Sequence, residues 1–245
     1  MPGKLFTPYL LYSKLIVIFV SMERRQAKRI QTSVLNSLEH KALIWLAARQ
    51  PRWVNSDMLT FVGSVGAFLI GLGYALTSVD VHFLWLSTFG LLVNWYGDSL
   101  DGNLARYRNK QRPVYGYYVD HTMDVINESM MFFGAGMAPF FDMRLTLSAF
   151  VLYLLMTLNV SMNAHLRSEF KLTYFKLGPT EFRLIIALAN TVMLCFGERL
   201  LTSIVPNCFI GFIVLILGVI YIKSVVEDLK YYNAMDPMPK DDDEQ

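Results

Sequence analysis

The feature that most limits what this chain can fold into is a series of long apolar runs. Six candidate spans approach the ~20 apolar residues that an α-helix needs to cross the hydrocarbon core of a bilayer. They are Met58–Thr77, Val81–Asn103, Gly116–Phe140, Met143–Arg167, Phe182–Phe196 and Cys208–Val226. The fifth is the shortest. These runs predict an all-α fold, a polytopic membrane protein built as a six-transmembrane-helix bundle.

The composition agrees with a membrane protein and excludes several other classes. The 245 residues are 54% hydrophobic and only 17% charged, whereas a soluble domain is usually about 25% charged. The net charge of +2 is too small to favour a nucleic-acid partner. The two cysteines, Cys195 and Cys208, are too few for a disulfide scaffold or a zinc site. They flank one predicted loop, and two free thiols are favoured over a pair.

The distribution of Lys and Arg predicts the orientation of the chain in the membrane. With the N-terminus inside, only Arg144 and Arg199 of the 22 basic residues fall in outer loops. Basic residues concentrate in cytoplasmic loops. Both termini, and the loops at 104–115 and 167–183, are therefore predicted to be cytoplasmic.

The region before the first span is less regular. The apolar run Tyr9–Val20 is too short to span comfortably and contains Lys14, and Met22 offers a second start, so whether residues 1–21 belong to the native protein stays open. Further on, an amphipathic helix on the cytoplasmic surface is predicted at about 33–50. Its apolar positions are Leu35, Leu38, Leu43, Trp45 and Leu46. The predicted organisation is an N-terminal extension (1–30), a membrane domain (31–230) and an acidic tail (231–245).

Four aspartates interrupt the apolar pattern between Gly97 and Asp124. Asp98 and Asp101 share one helix face, because residues three and four apart are neighbours on a helix. Asp120 and Asp124, an i,i+4 pair, share a face of the next helix. Two antiparallel helices joined by a short loop can therefore bring four carboxylates together at the cytoplasmic end of the bundle.

Four clustered anions repel one another unless cations neutralise them. An oxygen-only site suits Mg²⁺, Mn²⁺ or Ca²⁺ better than Zn²⁺. Two such ions would fit the charge and could clamp a pyrophosphate during a displacement reaction. A single membrane-embedded aspartate can also be a structural bridge to a basic residue, but four at this spacing favour function.

The same residues resemble a known family signature. The pattern D-x-x-D-G-x-x-A-R, nine residues, then G-x-x-x-D-x-x-x-D is similar to that of the CDP-alcohol phosphotransferase (phosphatidyltransferase) family. Every motif position is filled, by Asp98, Asp101, Gly102, Ala105, Arg106, Gly116, Asp120 and Asp124. The six spans and the amphipathic helix extend the resemblance over most of the chain from about residue 35.

The resemblance implies an enzyme of phospholipid biosynthesis. Members of this family transfer a phospho-alcohol from a CDP-activated donor to a second alcohol and release CMP. The four aspartates would hold two Mg²⁺ or Mn²⁺ ions, and the motif's glycines, alanine and arginine would bind the nucleotide. The active site would face the cytoplasm, and the protein would be a homodimer.

Two residues are candidates for the base that deprotonates the acceptor. The resemblance implies Asp124, but a carboxylate bound to metal is a weak base. His121 is therefore the second candidate, because an imidazole is better matched to neutral pH. Its surroundings, VDHTMD, are similar to the DHxxD of the choline/ethanolamine branch of the family. That branch has an acidic residue one turn earlier, where this chain has Tyr117.

Other polar and small residues receive weaker predictions. Gly178-Pro179-Thr180-Glu181 should begin the fifth span, and with Arg183 it is either part of an acceptor site or a plain helix cap. Asn127 and Glu128 could line the site. Asn159 and Asn163 favour helix-to-helix hydrogen bonding. Close helix packing in the first span is predicted from Gly63, Gly66, Gly71 and Gly73.

Three alternatives stay open at the level of sequence. A transporter can also bury carboxylates, although no inverted repeat is visible here. A non-catalytic relative of the family would usually lack a motif aspartate, and none is missing. If the protein is an enzyme, its donor is one of two kinds. CDP-diacylglycerol is favoured because the basic loops suit an anionic acceptor. A CDP-linked head group is favoured because DHTMD and GPTE (Gly178–Glu181) are similar to elements of the choline/ethanolamine branch.

Overall fold

A computed structural model describes residues 28–30, 35–167, 169–171, 178–197 and 202–238. These residues are almost entirely helical. The seven α-helices in them are α1 (Asn36–Arg49), α2 (Ser56–Leu76), α3 (Leu84–Tyr107), α4 (Pro113–Gly136), α5 (Met143–Arg167), α6 (Pro179–Phe196) and α7 (Val205–Met235). A 3₁₀ turn at Val81–Phe83 precedes α3, and two short strands, β1 (Lys28–Ile30) and β2 (Glu169–Lys171), pair in parallel.

Helices α2 to α7 correspond one to one with the six predicted spans. Among the described helices, α2, α5, α6 and α7 are long and apolar enough to cross a membrane. Helices α3 and α4 are also long, at 24 residues each, but they carry the acidic motif. The all-helical class is therefore confirmed, and the predicted count of six spans is not.

Local sequence signals set several helix starts. The Asn55 side chain accepts a hydrogen bond from the Met58 amide at 2.8 Å, so Asn55 caps α2. Pro179 occupies the first turn of α6, where its missing N–H costs nothing. Both signals confirm that these spans begin where the sequence placed them.

Small residues let three helices meet backbone to backbone. A Cβ on Gly63, Gly66 or Gly73 of α2 would press against the backbone of α3, and a Cβ on Gly71 would press against that of α4. This confirms the predicted role of all four glycines. Helices α3 and α4 each pack mainly on α2 rather than on each other. A cleft between them follows from this arrangement.

Helix α1 forms where it was predicted, but its apolar residues do not share one face. Leu43 and Ala47 are buried with Leu100 and Leu104 in a core cluster beneath the acidic motif. Trp45 lies on another side of the helix and is 54% exposed. The amphipathic character predicted for α1 is therefore not confirmed, and its location at the membrane surface stays a prediction.

A polar cluster joins α5 to α7. The Asp228 carboxylate accepts hydrogen bonds from the side-chain amides of Asn159 at 3.0 Å and Asn163 at 2.7 Å. The Tyr232 hydroxyl donates to the Asn163 side-chain oxygen at 2.7 Å. The two asparagines therefore hold helices together, as predicted, through partners on α7 that the sequence did not identify.

Several predictions concern the ends of the chain and its thiols. Cys195 and Cys208 are both free, as favoured above. Helix α7 continues to Met235, beyond residue 230 where the predicted membrane domain ends. Apart from β1, the predicted N-terminal extension, including Tyr9–Val20 and Met22, lies outside the described residues. So do residues 239–245 of the predicted acidic tail, together with Arg199.

Candidate functional site

Three of the four motif aspartates meet in the cleft between α3 and α4. Asp98 of α3 and Asp120 and Asp124 of α4 each offer a carboxylate oxygen, and the three oxygens lie within 4.8 Å of one another. Asp98 and Asp124 are half-buried, whereas Asp120 is exposed, so the cluster opens on the Asp120 side. Such an oxygen-only set fits a hard divalent cation such as Mg²⁺ or Mn²⁺.

The fourth aspartate, Asp101, stands beside this cluster. Its Oδ2 accepts a hydrogen bond from the Thr60 hydroxyl of α2 at 2.6 Å, and its Oδ1 accepts one from the Gly102 amide. The Ser56 hydroxyl donates to the Asp101 backbone oxygen at 3.0 Å. The carboxylate is thus held by α2, and its role as a metal ligand stays a prediction.

Arg183 of α6 reaches the cluster from a third helix. Its Nη2 lies 2.5 Å from Asp98 Oδ2, and its Nε donates to the Asn94 side-chain oxygen at 3.1 Å. The sequence placed Arg183 near an acceptor site because of its charge, but did not identify Asp98 as its partner. Asn94, one turn before Asp98 on α3, was not singled out at all.

His121 is oriented by the preceding turn of α4. Its Nδ1 lies 3.1 Å from the Tyr117 carbonyl oxygen, which can only accept, so Nδ1 carries the proton in this contact. The lone pair of the neutral ring is then on Nε2. The Tyr117 ring stacks on the imidazole with 4.0 Å between centroids. Tyr117 therefore orients His121 through its backbone and its ring.

The residues assigned to nucleotide binding lie on α3 just after Asp101 and in the first turns of α4. A Cβ on Gly102 would meet the Arg106 guanidinium at 3.5 Å, so these two residues border one space. Ala105 is half-buried, and Arg106 is exposed. Gly116, in the first turn of α4, has nothing within 4 Å of the position of a Cβ. Nucleotide binding by this group stays a prediction.

The Gly178–Glu181 segment joins α6 to the start of α1. Glu181 is buried, and its two carboxylate oxygens accept the backbone N–H groups of Leu35 and Gly178, each at 2.9 Å. The Thr180 hydroxyl donates to Glu39 of α1 at 2.5 Å. The Glu39 carboxylate also accepts the Trp95 indole N–H at 2.9 Å, which adds α3 to the joint. The structure thus supports the helix-cap interpretation of this segment.

Two more polar residues extend the acidic face of α4 into the bundle. Glu128, one turn beyond Asp124, is half-buried and lies beside Tyr153 of α5. Asn127 is buried, and within the described part of the chain its side-chain oxygen has no hydrogen-bond partner. Both had been predicted to line the site, and Tyr153 had not.

These features define a class of protein, a polytopic α-helical membrane protein with a carboxylate-lined site between two of its helices. No family model matches the chain. It is similar to the phosphatidylinositol phosphate synthase of Cutibacterium acnes (strain DSM 16379 / KPA171202), with 28% identity over 107 residues. The alignment covers 41% of this chain and 49% of that synthase, so the chain spans about half the length of this relative.

Proposed function

We propose that this protein is a metal-dependent CDP-alcohol phosphotransferase of phospholipid biosynthesis. The observation that carries the proposal is the convergence of Asp98, Asp120 and Asp124 from two helices. The similarity to a phosphatidylinositol phosphate synthase supports the same activity. The reaction would move a phospho-alcohol group from a CDP-activated donor to an acceptor alcohol and release CMP.

Four aspartates would hold the donor's metal ions in this scheme. Asp98, Asp120 and Asp124 provide ligands on facing helices, and Asp101 provides a fourth carboxylate already fixed by Thr60. When bound, the ions supply charge stabilisation for the pyrophosphate and the departing CMP. Gly102, Ala105 and Gly116 would admit the nucleotide because their side chains are small or absent, and Arg106 would supply a positive charge for its phosphates.

The proposed reaction combines a displacement at phosphorus with the transfer of one proton. The acceptor oxygen attacks the phosphorus that carries the alcohol group, and the bond from that phosphorus to the oxygen shared with CMP breaks. CMP leaves with the bonding electrons, and the hydroxyl proton passes to a base. Asp124 is the first candidate for this base, and His121, with its lone pair on Nε2, is the second.

Among possible donors, we propose CDP-diacylglycerol, so that a phosphatidyl group is transferred. The name of the relative supports this choice, since the inositol phosphate head group of the product it names is an anionic alcohol phosphate, the kind of acceptor that the basic loops favour. The GPTE segment favours the other kind of donor. That argument is weaker because Glu181 of this segment accepts the N–H groups at two helix starts and so acts as a cap. Transfer of a choline- or ethanolamine-type head group from its CDP derivative to a lipid alcohol is the alternative.

The same proposal includes a topology and an assembly. Helices α2 to α7 would all cross the membrane, with both termini and the carboxylate cluster on the cytoplasmic side. In this arrangement α3 and α4 place their charged residues inside the bundle, where membrane proteins keep ionisable groups. The protein would also form a homodimer, as its resemblance to the family implies.

Release of CMP by the purified chain tests the function. With Mg²⁺ or Mn²⁺ and CDP-diacylglycerol, CMP should appear only when the right alcohol from a panel is added. Asp101→Asn and Asp120→Asn should abolish turnover and leave the protein folded. Asp142→Asn is the matched control, because Asp142 lies in an outer loop and an asparagine can still accept its bond from the Arg144 amide.

Two results would contradict the proposal. Turnover that survives both aspartate substitutions would remove the carboxylate cluster from the mechanism. Uptake of a solute into vesicles with no CMP release from any CDP donor would favour a transporter.

A further inference from the structure

One basic side chain is built into the carboxylate cluster from a helix that carries no part of the acidic motif. Arg183 Nη2 lies 2.5 Å from Asp98 Oδ2, and the two side chains are only 18% and 29% exposed. Arg183 is also close enough to Asp124 and Glu128 to interact electrostatically with both. A partly desolvated ion pair of this kind interacts more strongly than a surface pair.

The guanidinium is held in place by a buried amide. Asn94 is 3% exposed. Its side-chain oxygen accepts from Arg183 Nε at 3.1 Å, while its side-chain nitrogen donates to the Gly63 carbonyl at 3.0 Å. Gly63 belongs to the close crossing of α2 and α3, so the rigid helix interface fixes Asn94, and Asn94 fixes Arg183. The fixed fork of the guanidinium reaches Asn94 through Nε and Asp98 through Nη2 at the same time.

The partner of Arg183 is one of the residues proposed to bind metal. Three carboxylates within 4.8 Å repel one another in the absence of a cation. A fixed guanidinium reduces that repulsion, and it does so by binding an oxygen of Asp98. A divalent ion that takes Asp98 as a ligand must therefore compete with Arg183 for the same carboxylate.

We propose that Arg183 is a built-in counter-ion, which holds Asp98 while no divalent cation is bound and releases it when one binds. This inference rests on the proposed function, since it concerns the same metal site. Arg183 is then a positioning residue for Asp98. This role has a consequence for metal binding that a purely structural ion pair would not have. Removing the arginine charge strengthens the binding of divalent cations, even though the unliganded protein loses an ion pair.

The binding of Mn²⁺ to the purified 245-residue chain, followed by electron paramagnetic resonance without nucleotide, tests the inference. Arg183→Gln should bind Mn²⁺ roughly ten-fold more tightly than the wild type, because a positive charge a few ångströms from the site is removed. Arg183→Lys keeps the charge and should stay within about three-fold of the wild type. Arg144→Gln makes the same charge change at the far end of α5 and should have no effect. Equal or weaker binding by Arg183→Gln would overturn the inference.

A measurement on the wild type avoids any dependence on how well the variants fold. Phenylglyoxal modifies accessible arginines, and peptide mapping locates the products. Mn²⁺ should increase the modification of Arg183 several-fold and leave that of Arg144 unchanged. Modification of Arg183 that does not respond to Mn²⁺ would overturn the inference. CMP release measured on the same preparation separates the two proposals, because turnover by the wild type supports the proposed function whichever way Arg183 behaves.

Discussion

Under the proposed function, two side chains on α4 are candidates to accept the proton of the acceptor alcohol, and their surroundings differ. Asp124 lies in the carboxylate cluster with Asp98 and Asp120. His121 lies one turn away, with its Nδ1 at the Tyr117 carbonyl. In the proposed reaction the phosphorus would lie at the metal site, and Asp124 belongs to the carboxylates that would form that site. We therefore expect Asp124 to matter more.

Asp124→Asn should lower the rate of CMP release at saturating substrates by about 10²–10⁴-fold, which is the usual contribution of a positioned general base. His121→Asn should lower this rate by about ten-fold or less, because His121 would help to orient groups in the site and would not accept the proton. The measurement is kcat for both variants, with Mn²⁺ binding checked in parallel to separate loss of metal from loss of the base. A greater loss of kcat in His121→Asn than in Asp124→Asn would assign the base to His121.

At the scale of helices, the crossing of α2 and α3 is the most demanding contact in the described structure. A Cβ on Gly97 of α3 would overlap backbone atoms of Gly63 and Leu59 on α2, and backbone cannot move aside as a side chain can. This crossing carries Thr60 to Asp101 and Gly63 to Asn94, so it also determines the position of the site.

Gly97→Ala should therefore destabilise the protein by about 1–3 kcal/mol or more, the usual cost of overpacking. Thermal unfolding in detergent, followed by circular dichroism, measures the effect. Gly211→Ala on α7 is the matched control, because nothing lies within 4 Å of the Cβ it would add. Equal melting temperatures for the two variants would show that α2 and α3 do not cross as closely as described.

One carboxylate in the joint between α1 and α6 contacts both helix starts. Glu181 accepts two backbone N–H groups, one on each helix start. Glu181→Gln keeps one oxygen but replaces the other with a donor, which leaves a buried N–H without its acceptor. A loss of about 1–3 kcal/mol of stability is expected. Glu227→Gln is the control, because the Glu227 ion pair with Lys223 is exposed. A Glu181→Gln protein as stable as this control would argue against the joint.

The helices themselves could be predicted well from sequence. Apolar runs, the Asn55 cap and Pro179 are local signals, and they placed α2 and α6 within a few residues of their observed starts. The pairings between helices could not be predicted. Thr60 with Asp101 and Arg183 with Asp98 join residues 41 and 85 positions apart. Such contacts depend on how each helix is rotated about its axis, which a single sequence does not determine.

On the scale of the whole molecule, the rotation of each helix about its axis also explains why three of the four motif aspartates meet and the fourth does not. Spacing showed that Asp98 and Asp101 share a side of α3, but residues three apart do not point in one direction. The tight contact of α3 with α2 turns Asp101 toward Thr60, while Asp98 faces α4. The cleft exists because α3 and α4 both pack on α2. Local pattern identified the acidic residues, and the packing of a third helix determined their partners.

The number of membrane crossings decides where the site lies, and the loop between α3 and α4 distinguishes the possibilities. If α3 and α4 both cross, this loop and the carboxylate cluster lie on the cytoplasmic side. If only α2, α5, α6 and α7 cross, α3 and α4 form a hairpin, and the loop stays on the outer side with the end of α2. The proposed function requires the first arrangement, because CDP-activated donors are cytoplasmic in the proposed pathway.

Single cysteines at two exposed loop positions separate these arrangements, in a background where Cys195 and Cys208 are replaced by serine. Ser78→Cys, just after α2, should react with a membrane-impermeant maleimide in intact cells, since both arrangements place it outside. Lys110→Cys, between α3 and α4, should react only after the cells are permeabilised. Reaction of Lys110→Cys in intact cells would establish the hairpin instead, and would leave the carboxylate cluster on the wrong side of the membrane for its proposed donor.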